Sequence, residues 1–276
     1  MVTAQMAYGL AKRIENSDGS VIIMSSEVKR FYENYEEGKR LSRDNAHKIE
    51  FLTTVHYLDK FLPKGSRILD ACAGEGDYAF YLADRGYKVI ACDLTPKHID
   101  SIKANPQANK LVGAEVANVL DLSRFDDGSF DVVLCMGALY HLFDPTEREK
   151  CIAECLRVLK SGGIFAFAYI NRYGVFMSEF YRQRIPLDIL TEMTKTGRID
   201  VFYCMDFEEA QTLASKFPLD KIADVNIDGL NYILTERLNA ATDEEFAAYM
   251  EYHLATCEQP AILSFGSHGL WIGKKY

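Results

Sequence analysis

The sequence predicts a doubly wound α/β fold, and three observations carry that reading. From Pro63 onward, short apolar runs alternate with stretches of helical periodicity. The runs are continuously apolar rather than alternating, as strands buried on both faces of a parallel sheet must be. The first two runs each end on an acid, Asp70 and Asp93, at the strand ends where such a sheet keeps its ligand crevice.

The elements follow in order. Residues 1–25 have weak periodicity and a turn-prone NSDGS stretch, which predicts a loosely held leader. Glu27 to Phe61 is helical, with Phe31 and Tyr35, then Ile49, Leu52, Val55 and Leu58, at three- and four-residue steps. Pro63-Lys64-Gly65 ends it. Strands are expected at Arg67–Cys72, Lys88–Cys92, Gly113–Ala117, Phe130–Met136 and Ile164–Ile170, with helices at Asp77–Asp84, Pro96–Ala104 and Pro145–Leu159. The last of these helices opens on Asp144-Pro145-Thr146-Glu147, an N-cap acid with proline at N1 and glutamate at N3, and its stop signal is Gly162-Gly163. The final third reads as helices over Val175–Thr196 and Phe207–Phe217, a strand-like run over Ile222–Ile233, a helix over Asp243–Cys257 and a last strand over Gly269–Gly273. No repeat or low-complexity tract interrupts it.

Composition narrows the function. The 276 residues are 48% hydrophobic and 26% charged, ordinary values for a globular chain and not for a disordered, collagenous or coiled-coil one. Lysine and arginine total 31 against 40 acids, a formal charge of −9, so nucleic acid is not expected as a partner. No stretch approaches the roughly 20 apolar residues of a membrane span, and the N-terminus lacks the basic and apolar regions of a secretory signal. Seven scattered cysteines suit reduced thiols and a cytoplasmic location. Cys151 and Cys155 begin a CxxxCxxC pattern whose third position is Val158, so they read as core residues on a helix. No histidine and acid cluster has ligand spacing, so no metal is implied.

The informative stretch is RILDACAGEGDYAFYLADRGYKVIACDLTP, from Arg67 to Pro96. A strand runs into Asp70, a small-residue turn with Gly74 and Gly76 opens a helix, and a second strand ends at Asp93, where a carboxylate can accept both hydroxyls of a ribose. Two nucleotide readings compete. A dinucleotide would lay its pyrophosphate on the helix N-terminus, but Asp70 and Glu75 flank the turn and repel it. A sulfonium cofactor with a free ammonium group is cationic there and welcomes acids. The charge pattern favours S-adenosylmethionine over NAD.

With these residues in place the sequence resembles the class I S-adenosylmethionine-dependent methyltransferases, in particular the small-molecule type similar to the ubiquinone-biosynthesis methyltransferases. The resemblance covers roughly Glu27 to Gly163. LDACAGEG looks like the family's glycine-rich loop, SFDVVLCMGALYHL like its fourth strand and active-site rim, and ECLRVLKSGG like the helix and turn before strand five. It implies a Rossmann-like, seven-stranded sheet with an N-terminal helical flap and a small helical lid. Four segments follow: leader and cofactor-covering helices over 1–62, a cofactor-binding core over 63–170, a lid insertion over 171–205 and the rest of the sheet domain over 206–276. It also implies cofactor contacts from Asp70, Ala71, Gly74, Gly76, Asp93, Leu94, Asn118, Val119 and Met136, with Tyr35, Arg40 and Arg43 as candidates for the cofactor carboxylate. Cys72 replaces a common glycine, Asn118 a common aspartate and Ser161 a common proline; the Asn118 carbonyl still accepts a hydrogen bond.

Tyr140-His141 is the aromatic–histidine pair expected at the pocket, with His141 the candidate base. Tyr140, Tyr173, Phe176 and Tyr181 are the candidate acceptor contacts; Phe176 with Phe180, and Met177 with Tyr181, stand at i,i+4 on a lid helix. Each position also admits a structural role: a helix cap for Asp70, a turn for Asn118, a backbone bond for His141, core for the aromatic stripe. The expected function is methyl transfer from S-adenosylmethionine to an O, N or C nucleophile of a small molecule. Alternatives are a protein- or RNA-modifying methyltransferase and a non-catalytic cofactor-binding module.

Overall fold

The computed structural model describes residues 21–34 and 40–276. The expected leader is thus described only from Val21, where helix α1 (Val21–Asn34) already begins. A short 3-10 turn at Arg40–Ser42 precedes α2 (Asn45–Phe61), whose N-cap Asp44 accepts from the backbone N–H of His47.

Strands β1 (Arg67–Asp70), β2 (Lys88–Asp93), β3 (Gly113–Val116), β4 (Phe130–Cys135) and β5 (Leu159–Asn171) lie in the parallel order β3-β2-β1-β4-β5. Helices α3 (Asp77–Asp84), α4 (Pro96–Ala104) and α5 (Pro145–Val158) connect them. Beyond β5 come α6 (Arg172–Arg182), α7 (Leu187–Thr196), β6 (Arg198–Ile199), β7 (Phe202–Met205), α8 (Phe207–Ala214), β8 (Leu219–Asn226), α9 (Asn231–Asn239), α10 (Asp243–Thr256), α11 (Pro260–Leu263) and β9 (His268–Lys275). β9 runs antiparallel to β5, from Ile170↔His268 to Ile164↔Lys274, and β8 runs antiparallel to β9 on its far side.

The sheet has nine strands where seven are expected. The two extra strands are β6 and β7, a hairpin of two and four residues inside the segment expected as a helical lid. β7 joins the end of β5 through Ile170↔Cys204 and Asn171↔Met205. Two other boundaries move. The run Ile222–Ile233 divides into strand and helix because Asn226 Oδ1 accepts from the N–H groups of Asp228 and Gly229 and turns the chain before α9. Gly162-Gly163 is not the helix stop: α5 passes directly into β5 at Leu159, and the glycines sit where the β4–β5 register slips between Phe130 and Val132.

Each face of the sheet carries an apolar cluster. One gathers Leu69, Phe130, Phe165, Phe167 and Trp271 beneath α5 and α8; the other gathers Ile68, Val89, Val132, Leu134 and Ile272 with α2, α3 and α4. The single tryptophan, Trp271, is fully buried, stacks on Phe167 at 5.3 Å and donates to Gln211 at 3.2 Å. It thereby ties β9 to β5 and α8. Replacing a fully buried aromatic with alanine costs about 3–5 kcal/mol. Trp271→Ala should lower unfolding stability by that amount in denaturant titrations followed by circular dichroism.

Candidate active site

The site begins at the carboxyl ends of β1 and β2. After Asp70 the chain turns along its neighbours, with Ala71 N–H bonded to Leu134 O and Ala73 N–H to Cys92 O, each at 2.8 Å. Gly76 then caps α3 at a φ of 92°. A Cβ on Gly76 would also lie 2.9 Å from the Phe80 ring, so glycine serves the turn and its packing there. Gly137, at the end of β4, is required by close approach: a Cβ there would sit 2.8 Å from that of Cys72.

Asp93 is held from three directions. Oδ2 accepts from Gly74 N–H at 2.9 Å, while Oδ1 accepts from Thr95 N–H at 2.8 Å and from His98 Nδ1–H at 3.1 Å. Asp70 is buried, and neither of its carboxylate oxygens makes a well-formed hydrogen bond among the described residues, although the Cys72 backbone N–H lies near enough to favour the charged form. Burial first, and then the neighbouring Asp93 charge, push the Asp70 carboxyl up to about 7. The crevice therefore has one oriented carboxylate and beside it one with its bonding capacity largely unused.

A cavity opens over this turn. Its wall includes Ala71, Gly74, Asp93, Leu94, Asn118, Val119 and Met136, together with Arg40. Asp70 and Gly76 lie behind that wall, and Tyr35 lies outside the described residues. Asn118 Oδ1 accepts from Leu120 N–H at 3.0 Å, so its side chain shapes the turn and lines the cavity at once. Sequence reasoning missed Tyr32, Tyr78, His98 and Gly137, which also form this wall. His98 stands in the first turn of the helix expected at Pro96–Ala104, a signal present but unused.

A second cavity adjoins the first, and the two share Tyr32, Arg40, Tyr78, Met136 and Tyr140. Its apolar side comes from Phe31, Ile170, Val175, Ile185, Ile199 and Phe202. Its polar side is a charge network. Arg40 donates two bonds to Glu50, at 2.7 and 2.9 Å, and His268 Nδ1 lies 2.9 Å from Asp228. Burial pushes the Glu50 carboxyl up, but Arg40 and His268 outweigh it and hold it at about 2.

The lid differs from expectation. Helix α6 turns Val175, Ser178, Glu179 and Arg182 towards the second cavity, while Tyr173 and Tyr181 are 43% and 57% exposed and line neither cavity. Phe176 stacks on Phe180 and packs beside the cavity rather than on its wall. The aromatic stripe is real, but it is the opposite face that faces inward. Arg184, paired with Glu179, lines the second cavity, whereas Arg172, paired with Glu209, and Arg43, which reaches Asp44 and His47, line neither.

His141 is buried against the first cavity. Its Nδ1–H donates to Val201 O at 3.0 Å, so Nε2 is the acceptor, and it takes the Tyr32 hydroxyl at 3.0 Å. Cys151 and Cys155 are joined by Cys135 of β4, the three sulfurs lying within 4.8 Å of one another in the apolar core.

Residues 69–167 match the family described as a methyltransferase domain. Over 109 residues the chain is 38% identical to an uncharacterized methyltransferase of Synechocystis, covering 39% of this chain and 49% of that one. Over 109 residues it is 36% identical to a ubiquinone biosynthesis O-methyltransferase of Xanthomonas oryzae, covering 39% and 44%. Residues 69–167 are thus a methyltransferase domain. The chain spans about half the length of these curated relatives, 49% and 44%. In fold, the methyltransferase domain and its flanking elements resemble a Pyrococcus horikoshii protein with a TM-score of 0.60 over 90% of this chain and 99% of that one, at 18% identity. A Methanosarcina mazei S-adenosylmethionine-dependent methyltransferase gives 0.54 over 79% and 96%, at 21% identity. The site suits the family's cofactor: the weakly bonded Asp70 carboxylate answers a cationic end.

The raised Asp70 carboxyl has a consequence for the ligand-free protein. A carboxyl whose folded pKa exceeds its unfolded value binds its proton more tightly when folded, so stability is lost as pH rises from about 4 to about 7. Asp70→Asn removes that loss. The ligand-free variant should melt above wild type at pH 8 and close to it at pH 5 in thermal scans.

Proposed function

We propose that this protein transfers the methyl group of S-adenosylmethionine to a hydroxyl of a small molecule. The observation that carries the reading is the junction of the two cavities at Tyr32, Arg40, Tyr78, Met136 and Tyr140, which lets a cofactor over the glycine turn meet an acceptor under the lid. The oxygen acceptor follows the named activity of the Xanthomonas relative.

When bound, S-adenosylmethionine supplies a methyl group on a positively charged sulfur, open to in-line displacement. The chain's own residues then orient and enclose. Asp93, steadied by Gly74, Thr95 and His98, offers its remaining lone pairs to the ribose hydroxyls. Asp70 balances the ammonium group. Leu94 and Val119 flank the adenine, with Asn118 at its edge. Tyr32, bonded to His141, pins α1 across the cofactor cavity and excludes water. Alignment of this kind supplies much of the rate of a bimolecular transfer.

Four measurements test the reading. Calorimetry should show binding of S-adenosylmethionine and S-adenosylhomocysteine and none of NAD. Asp93→Ala should weaken S-adenosylhomocysteine about 10- to 100-fold, since charge-assisted bonds contribute about 1.5–3 kcal/mol each. Wild-type affinity should rise with pH through about 7, as Asp70 ionises, and Asp70→Asn should flatten that rise. Transfer of labelled methyl to hydroxylated small molecules then checks the activity itself; cofactor binding with no transfer to any would leave a binding module.

A further inference from the structure

Methyl transfer to a hydroxyl releases a proton, and some group must take it. Histidine is the side chain whose ordinary pKa suits that task near neutrality. The chain has six histidines, all among the described residues, and geometry separates them. His56 and His253 line neither cavity. His98 and His141 belong to the cofactor side alone; His98 is bound to Asp93, and His141 has both ring nitrogens engaged. His47 reaches the acceptor cavity, but Nδ1 meets Asp44 at 2.5 Å and Nε2 meets Arg43 at 2.6 Å. His268 remains.

His268 is the first residue of β9, and its side chain, 32% exposed, lines the acceptor cavity. Its Nδ1–H donates to Asp228 Oδ2 at 2.9 Å, and its backbone N–H donates to Asp228 Oδ1 at 3.3 Å. One buried carboxylate thus fixes both the ring and the chain that carries it. Because Nδ1 holds the hydrogen, the lone pair of the neutral ring is on Nε2. That nitrogen makes no hydrogen bond among the described residues, and it is not one of the enclosed polar atoms without a partner. It opens on the cavity.

We propose that His268, oriented by Asp228, takes the proton of the acceptor hydroxyl, an inference that rests on the methyl-transfer reading above. The acceptor oxygen forms its bond to the methyl carbon as the carbon–sulfur bond breaks, and that electron pair stays on sulfur. The hydroxyl proton passes to His268 Nε2. A sulfonium and a neutral imidazole become a thioether and an imidazolium, so charge is conserved. The groups facing His268 accommodate the new cation: Asp228 from the β8–α9 turn, Glu50 from α2 at 4.0 Å, and Arg40, which tempers Glu50. Arg182 of α6 lies within electrostatic reach of Asp228. Burial pushes the His268 pKa down, but Glu50 and Asp228 outweigh it, and it stands above the ordinary histidine value. Asp228 is a positioning residue, since it acts only through His268.

The test uses the full chain, with S-adenosylhomocysteine bound for magnetic resonance, and with S-adenosylmethionine and 3,4-dihydroxybenzoate as the acceptor probe for rates. Ring-nitrogen magnetic resonance needs no acceptor: Nε2 should be unprotonated above the His268 pKa, and Asp228→Asn should lower that pKa. A proton on Nε2 of the neutral ring would overturn the proposal. In initial-rate assays His268→Gln should lower kcat about 10²- to 10⁴-fold with S-adenosylhomocysteine affinity unchanged. The wild-type rate should rise with pH through the His268 pKa, that limb should move to lower pH in Asp228→Asn, and it should vanish in His268→Gln. A His268→Gln variant with wild-type kcat and the same limb would equally overturn it. If wild type binds the cofactor but methylates nothing, the methyl-transfer reading fails by itself, and the ring protonation still decides for or against His268.

Discussion

Two buried carboxylates at the ends of adjacent strands set the terms for the rest of this molecule. β1 and β2 run parallel with Asp70 opposite Ala91, which brings Asp70 and Asp93 to the same edge of the sheet. Burying like charges together costs free energy unless each finds donors or a counter-ion. Asp93 finds three donors, from the turn, the next strand exit and His98. Among the described residues Asp70 finds only the nearby Cys72 backbone N–H and no well-formed bond, and its raised carboxyl is the mark of that imbalance. Strain of this kind persists where a ligand relieves it. In the methyl-transfer reading proposed above, a cofactor with an ammonium and a sulfonium group supplies the missing positive charge, so that fold and cofactor complete one electrostatic unit.

The second cavity is built differently. Three pairs hold much of its charge, Arg40 with Glu50, Arg184 with Glu179 and His268 with Asp228, while Arg182 donates to Ser178 and one oxygen of Asp200 meets no partner among the described residues. Such pairs contribute little net binding energy, but they fix side chains in place. In that reading the first cavity recognises charge by its deficit, and the second presents fixed groups beside an apolar wall. The elements that close it are α1, α6 and the β6–β7 hairpin, which lie outside the seven strands expected of the sheet.

What could be read from the sequence follows from the range of the interactions involved. The five parallel strands and α3 to α5 lie within a few residues of where periodicity and caps put them, apart from β5, which starts at Leu159; continuous apolar runs and an Asp-Pro-Thr-Glu start are local signals. The glycine turn with its acids was legible for the same reason. The β6–β7 hairpin was not, because two and four residues carry too little pattern to register. On α6 the period was right and the face was wrong: spacing shows that Tyr173, Met177 and Tyr181 share a stripe, but only the rest of the fold decides which stripe turns inward. The cysteines show the limit most plainly. A search along the chain finds Val158 where a third sulfur would be, while Cys135 arrives from a strand 16 residues earlier than Cys151.

His268 was invisible for a topological reason. In a parallel sheet the residues that reach the ligand edge are strand ends, and sequence reading looks there, at Asp70, Asp93 and the segment after β4. β9 runs the other way, so its first residue comes to that edge: His268 pairs with Ile170, one residue before β5 ends. The entry to β9 is held by Asn171, whose backbone N–H bonds Ser267 O at 2.8 Å and whose side chain bonds Leu263 O and Gly266 O at 3.0 and 2.9 Å. Asp228 arrives from the end of β8, which runs parallel to β5 and so also finishes at this edge. One reversed strand and its neighbour therefore deliver a histidine and its carboxylate, 40 residues apart, to the cavity that the lid encloses. The antiparallel strand at the far side of the sheet is in this way part of the site as well as of the scaffold.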